Sequence, residues 1–153
     1  MSGPPQPASN GAVSDDVRQF FQDFEQANND LDVAASAAQF ADTFLSLDPS
    51  RVVAVSKAAF VDALPRRAKL FESIGRTGSR LVSITETPLD ERHVLVDTQW
   101  ATQLVDANGR PDTLPLSSVF ILRREDAGLR IVVYLNRQDI VSVIEARRAT
   151  TDT

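Results

Sequence analysis

Of the residues in this sequence that can do acid–base chemistry, two stand among apolar neighbours. Asp42 is a carboxylate inside the apolar run from Phe40 to Leu45, and Tyr134 is the only tyrosine of the chain. A carboxylate buried among apolar groups has a raised pKa and can act as a general acid or base, and a phenol can transfer a proton. Asp42 and Tyr134 are therefore the candidate catalytic residues. The alternative for Asp42 is the exposed edge of its helix, or an ion pair with an arginine.

The sequence offers few side chains for metal binding and none for thiol chemistry. The sequence contains no cysteine and a single histidine, His93, which follows a polar turn and is expected at an exposed strand edge. The lack of thiols excludes disulfides, thiolate nucleophiles and Cys-built zinc or iron–sulfur sites. We predict no metal site and no cofactor.

One strand offers a clear inward face, because alternate side chains of a strand point to the same side. In the segment His93–Val105 one face is largely apolar and the other carries histidine, aspartate and glutamines. The face expected to point inward consists of Val94, Val96, Thr98, Trp100 and Thr102. Trp100 is then either a core residue or the wall of a pocket.

The next two strands supply the remaining candidate ligand-binding residues. Ser118 and Phe120 share one face of their strand, but both faces of that strand are apolar enough that alternation does not assign them. Tyr134 and Asn136 lie opposite Ile131 on the last strand and would offer a phenol and an amide to a ligand if they point inward. The candidate ligand-binding set is Trp100, Ser118, Phe120 and Asn136.

Apolar periodicity predicts three helices before the strand-rich part of the chain. The first begins at Ser14 or Asp15, the second covers Val33–Leu45, and the third follows Ser56. The third helix should be kinked by Pro65 and should end at Gly75, where glycine suits a left-handed backbone. The segment 52–55 is a short β-branched run and reads as an isolated strand between the second and third helices.

Four strands and a terminal helix complete the expected domain. Short turns separate consecutive strands, which forces them into an antiparallel meander. The predicted strands are Leu81–Glu86, His93–Val105, Leu116–Arg124 and Leu129–Asn136, followed by a helix over Asp139–Arg148. We expect a disordered arm over residues 1–13, one domain over 14–148 and a frayed tail over 149–153.

Composition limits the partners of this domain. The net charge is −5 with a pI near 4.8, and the basic residues are scattered, which argues against nucleic-acid binding. No window approaches the roughly 20 apolar residues of a membrane span, and no signal peptide is evident, so we expect a cytoplasmic protein. The preference for arginine over lysine suggests a bacterium with a GC-rich genome.

The order of elements resembles that of the nuclear transport factor 2-like (NTF2-like) superfamily, and within it the SnoaL-like branch. The resemblance is carried by the segment Phe40–Phe60, the strand HVLVDTQW at His93–Trp100 and the strand pair within Ser117–Asp139. It implies an α+β, cystatin-like fold, in which a curved antiparallel sheet wraps three N-terminal helices into a cone with an apolar pocket. It also implies homodimers that form through the sheet.

The superfamily includes isomerases, dehydratases, cyclases and epoxide hydrolases as well as binding domains, so the fold does not choose an activity. No complete acid–base set is present in the sequence. The leading hypothesis is a homodimeric pocket protein for a mostly apolar small organic molecule. The alternative is a lyase, isomerase or cyclase acting on a polyketide-like or terpenoid-like ring, with Asp42 or Tyr134 transferring the proton. A third hypothesis is a protein-interaction module that uses the open sheet face.

Overall fold

The computed structural model describes residues 13–151, with side chains for residues 13–149. Its elements in chain order are α1 (Asp15–Asp30), α2 (Val33–Ala38), β1 (Phe40–Asp48), β2 (Arg51–Ser56), α3 (Lys57–Glu72), β3 (Arg76–Pro88), β4 (His93–Val105), β5 (Pro111–Glu125), β6 (Gly128–Asn136) and α4 (Ile140–Thr151). The predicted N-terminal arm lies outside the described residues except for Val13, which is buried in the core. The predicted frayed tail is helical up to residue 151, and residues 152–153 lie outside the described part.

Six strands form one mixed sheet in the order β2-β1-β6-β5-β4-β3. The strands from β3 to β6 pair antiparallel, which confirms the predicted meander. The expectation of a wholly antiparallel sheet is wrong at one pairing, because β1 runs parallel to β6. The strand predicted over 52–55 is not isolated, since β2 pairs with β1 at the sheet edge. The α+β class and the sheet that curls around the helices without closing are confirmed.

The second predicted helix is wrong beyond Ala38. Asp32 caps the short α2 by accepting a hydrogen bond from the Ala35 N–H at 3.0 Å. Phe40 and Phe44, which were expected on the apolar face of that helix, are buried on β1 instead. Two residues four apart share a face in a helix and, because four is even, also in a strand. Apolar spacing alone therefore could not separate the two structures here.

Aromatic rings fill the concave side of the sheet. Phe21 and Phe24 of α1 meet the ring of Phe120 edge to face, with centroids 5.0 and 5.3 Å apart. Phe120 in turn stacks on Tyr134, with centroids 4.9 Å apart and the planes at 10°. Such pairs contribute about 0.5–1.5 kcal/mol each beyond the apolar area that they bury. The predicted inward face of β4 is confirmed, because all of its members are buried, from Val96 at 0% exposure to Trp100 at 8%.

No helix in the described part of the chain has both the length and the apolar content needed to cross a lipid bilayer.

Gly75 joins α3 to β3 with the positive φ expected from the sequence. Its φ is +81°, and its carbonyl accepts a hydrogen bond from the Val105 N–H at 2.8 Å. A Cβ added at Gly75 would overlap the carbonyl oxygen of Val105. Gly109 has a similar φ of +77°, but nothing lies within 4 Å of its Cβ position. Substitutions at the two glycines can therefore distinguish the free-energy cost of a left-handed backbone from the cost of a steric overlap with a neighbouring strand.

We predict that Gly75→Ala lowers the free energy of unfolding clearly more than Gly109→Ala. At Gly109 the left-handed backbone alone costs about 1–2 kcal/mol. At Gly75 the overlap with Val105 must also push the start of β3 away from β4, so we expect a total of roughly 3 kcal/mol or more. Urea denaturation followed by the emission of Trp100 measures both values. Equal losses would show that close approach is not what requires glycine at this position.

Candidate functional site

A cavity of about 370 Å³ lies between the concave face of the sheet and the helices. Pockets that hold small organic molecules span about 300–1,000 Å³, so this volume lies within their range. Most of its wall is apolar and aromatic. The apolar wall includes Phe24, Leu64, Phe71, Trp100, Leu116 and Phe120.

The lining contains five of the six residues selected from the sequence. These five are Trp100, Ser118, Phe120, Tyr134 and Asn136. Asp42 lies outside the lining, on β1, where its carboxylate is fully exposed and pairs with Lys57 Nζ at 3.6 Å. The interpretation of Asp42 as a buried helical acid is wrong, because its segment is a strand. The alternative of a surface carboxylate with a cationic partner fits, although the partner is a lysine and not an arginine.

A β-bulge in β6 explains how Tyr134 and Asn136 reach the cavity. Strict alternation places Tyr134 on the face opposite Ile131, yet Ile131 is 0% exposed and Tyr134 only 8%. The register between β5 and β6 shifts at Val132, which has no directly paired residue. One extra residue reverses the alternation beyond it, so residues on both sides of the bulge face the core.

A chain of hydrogen bonds connects the polar groups at the base of the cavity. Trp100 Nε1 donates to Thr98 Oγ1 at 2.7 Å, and the same hydroxyl donates to the carbonyl of Ser118 at 2.8 Å. The Ser118 hydroxyl donates to Asn136 Oδ1 at 2.8 Å. With its oxygen engaged in this way, Asn136 has its amide N–H groups available to a molecule in the cavity.

Two arginines that sequence reasoning did not select also line the cavity. Arg67 Nη2 donates to the Tyr134 hydroxyl at 3.1 Å, and its guanidinium carbon lies 5.7 Å from the ring centroids of both Phe71 and Tyr134. Arg76 lies against the same Phe71 ring, with its guanidinium carbon 5.8 Å from the centroid. Burial, together with the nearby charge of Arg67, lowers the pKa of Arg76 below its ordinary value.

A sequence signal for Arg67 existed. Leu64, Arg67 and Phe71 fall at i, i+3 and i+7 of α3, so the arginine lies on the apolar face of that helix. Its neighbour Arg66 falls outside that pattern and is exposed. Arg67, like Asp42, is a charged residue among apolar neighbours. The criterion that identified Asp42 as a candidate site residue therefore also identifies Arg67. Arg76 gave no such signal, because its place depends on how β3 leaves Gly75.

Charge in the lining is predominantly positive. Its charged members are Asp32, Arg67 and Arg76, and the carboxylate of Asp32 already caps α2. Nowhere in the described residues do three or more His, Asp or Glu side chains gather in a way that could hold a metal ion. The two cations therefore outnumber the single carboxylate in the described lining.

The mouth of the cavity exposes apolar side chains. Leu31 ends α1 with a φ of +55° and is 60% exposed, and Val33 beside it is 36% exposed. A left-handed backbone at a non-glycine residue costs about 1–2 kcal/mol. The fold accepts this cost at Leu31, whose exposed side chain lines the cavity.

An ion pair fixes the chain where β6 ends. Arg137 Nη2 lies 2.6 Å from Asp97 Oδ2, and the hydrogen bond from Arg137 is the main reason that the pKa of Asp97 is lowered. The Ser117 N–H donates to Gln138 Oε1 at 3.0 Å. These contacts set the start of α4, which brings Ile140 into the lining.

We predict that Thr98→Val destabilises the protein and perturbs the cavity base. Valine matches threonine in shape but leaves the buried Trp100 N–H without an acceptor, which costs about 1–3 kcal/mol. Thr98 is 0% exposed, so water cannot replace the lost partner without local opening. Urea denaturation gives the loss, and the emission maximum of Trp100 reports on its altered environment.

Thr113→Val is the matched control, because Thr113 is exposed on β5. We expect its free energy of unfolding to stay within about 0.5 kcal/mol of the unmutated protein. If both variants behaved alike, the Thr98 hydroxyl would not be the support of Trp100.

Solved structures of NTF2-like proteins share this arrangement of helices and sheet. An NTF2-like protein with a cystatin-like fold from Novosphingobium aromaticivorans has a TM-score of 0.68 at 14% identity, over 86% of each chain. An NTF-2 like protein of unknown function from Shewanella oneidensis has a TM-score of 0.66 at 16% identity, over 81% of this chain and 98% of that chain. A ketosteroid isomerase-like protein from Erwinia carotovora atroseptica has a TM-score of 0.60 at 17% identity, over 81% of this chain and 94% of that chain.

No protein-family model matches the sequence, and no curated protein matches it. Identities this low carry information about the fold and not about the activity. The resemblance predicted from the sequence is thereby confirmed at the level of structure, since the neighbours share the helices and the curled sheet over most of their lengths. This chain has the NTF2-like, cystatin-like fold.

Proposed function

We propose that this protein binds a small, mostly apolar organic molecule in the cavity beneath α1 and α3. The observation that carries the proposal is the composition of the wall, where aromatic rings surround a space of about 370 Å³ and a few polar groups converge on it. Small-molecule sites are typically concave and mostly apolar, with a small number of polar groups that orient the ligand.

Burial of apolar surface would supply a large favourable contribution to the binding of such a molecule. Covering roughly 200 Å² of apolar ligand surface contributes about 5 kcal/mol at 25 cal/mol per Å², before the cost of association is subtracted. Trp100 and Phe71 offer ring faces to the ligand, and the amide of Asn136 offers donors to a polar substituent. The homodimer through the sheet and the cytoplasmic location stay predictions.

We predict that Ala68→Phe abolishes binding of an uncharged aromatic probe. Ala68 lines the cavity from α3, so a phenyl group at that position takes up part of the space. N-phenyl-1-naphthylamine, which fluoresces in apolar surroundings, serves as the probe. Trp100 is the only tryptophan and lines the same cavity, so energy transfer from Trp100 to the dye locates the binding.

Ala58→Phe on the exposed side of α3 is the control and should bind the dye as the unmutated protein does. Unmutated protein that neither quenches Trp100 emission nor brightens the dye would contradict the proposed function. Equal binding by the two phenylalanine variants would place the dye elsewhere on the molecule.

A second candidate function, acid–base catalysis on a ring ketone, is favoured by the contact between Tyr134 and Arg67. The Tyr134 hydroxyl accepts from Arg67 Nη2 at 3.1 Å, so its own proton is free for an oxygen of the bound molecule. A phenol with a cation behind it is suited to stabilise a developing enolate oxygen, as an isomerase or cyclase on a polyketide-like ring requires. The proton that leaves the α-carbon would go to Asp32, the one carboxylate among the described residues that line the cavity.

We predict for this candidate that the protein accelerates hydrogen–deuterium exchange at the α-carbon of a bicyclic ketone such as 2-tetralone. Tyr134→Phe keeps the stack on Phe120 but removes the hydroxyl, and should lower the exchange rate by about 10²–10³-fold. Asp42→Asn is the control and should keep the rate, because Asp42 lies outside the lining. Mass spectrometry of the ketone follows the exchange. A rate no faster than in buffer would leave binding as the function.

A further inference from the structure

The two cavity arginines have no carboxylate partner among the described residues. Arg67 donates to the hydroxyl of Tyr134. Arg76 donates to Asn29 Oδ1 at 3.1 Å and to Ser79 Oγ at 3.2 and 3.3 Å. All three partners are neutral. Seven ion pairs within the described part of the chain engage other arginines, a lysine and a histidine.

This arrangement of two half-buried cations with neutral partners is unfavourable in itself. Both arginines are half-buried, and their guanidinium groups lie 5.7 and 5.8 Å from the centroid of one ring, that of Phe71. Removing a charge from water costs free energy that neutral partners return only in part. Mutual repulsion adds to that cost, since the charge of Arg67 contributes to the lowered pKa of Arg76. An anion placed near both groups would relieve both effects.

No carboxylate of residues 13–149 forms an ion pair with either guanidinium group. Asp32, the carboxylate of the lining, is exposed at the mouth and accepts from the Ala35 N–H as the cap of α2. The polar groups at the cavity base, Ser118 and Asn136, are hydroxyl and amide groups. None of these described groups places a negative charge beside the arginines, and a bound anion fits that position.

We infer that Arg67 and Arg76 form an oxyanion subsite, and that the molecule held in the cavity is an organic acid with an apolar ring system and one carboxylate or sulfonate group. This inference rests on the proposed function and names the chemistry of its ligand. Guanidinium groups suit such oxyanions because their N–H donors match two oxygens at once. The aromatic wall next to the arginines accepts the ring of the same molecule.

Two dyes that differ in one group test the subsite. N-phenyl-1-naphthylamine is uncharged, and 1-anilinonaphthalene-8-sulfonate is the same ring system with a sulfonate. Each dye is titrated into the unmutated protein and into the variants Arg67→Gln, Arg76→Gln and Arg66→Gln. Energy transfer from Trp100 to the dye measures binding. Arg66→Gln is the matched control, because Arg66 adjoins Arg67 on α3 but is exposed and lies outside the lining.

We expect each cavity variant to bind the sulfonate dye about tenfold or more weakly, because a hydrogen bond to a charged group contributes about 1.5–3 kcal/mol. The same variants should bind the uncharged dye within about threefold of the unmutated protein, which also shows that the cavity is intact. Arg66→Gln should leave both affinities unchanged.

Three results would overturn the subsite. If both dyes weaken equally in Arg67→Gln and Arg76→Gln, the arginines shape the cavity and do not select charge. If Arg66→Gln weakens the sulfonate dye as much as Arg67→Gln, the attraction is a general surface effect. In both cases binding of the uncharged dye leaves the proposed function standing. If neither dye quenches Trp100, the proposed function fails and the subsite fails with it.

Discussion

The stack of Phe120 on Tyr134 is the contact on which the cavity depends. It joins β5 to β6 on the far side of the bulge at Val132, where strand alternation has just reversed. Without the bulge, Tyr134 would face away from the core, and the phenol could not meet Arg67. The rings of α1 then pack against Phe120 and fix the helix over the sheet. One extra backbone residue and one ring pair thus place both the apolar wall and its central polar group.

Support for the polar groups is unevenly distributed across the cavity. At the base, Thr98 accepts from Trp100 and donates to a backbone carbonyl, so both hydrogen-bonding capacities of its hydroxyl are used within the fold. On the helix side, the arginines rest on neutral oxygens and on the face of Phe71. Buried polar groups whose hydrogen bonds are all made within the fold help to specify the structure. A charge that has only neutral partners can still form an ion pair with a bound molecule. We therefore interpret the base of the cavity as a structural support and the arginine side as the surface proposed to bind a ligand.

Sequence reasoning predicted the parts of this structure that local chemistry determines. The inward face of β4, the meander from β3 to β6 and the positive φ of Gly75 follow from alternation, turn length and backbone sterics. The segment after Ala38 was mispredicted because its parallel pairing with β6 is a tertiary contact that no local pattern reports. The bulge at Val132 was missed for a similar reason, since no glycine or proline lies next to Val132 in β6 to mark the change of register.

The cavity arginines show that the fold does not determine the charge of the cavity. Neighbours of this fold at 14–17% identity share the curled sheet, and the fold alone accommodates binding domains and enzymes. The charge inside this cavity comes from two side chains, one on the apolar face of α3 and one directly after Gly75. Gly75 allows β3 to start close to β4, and this close approach holds Arg76 beside the Phe71 ring that Arg67 also covers. The charge selectivity that we propose for the site therefore depends on a backbone junction as much as on the groups that would touch a ligand.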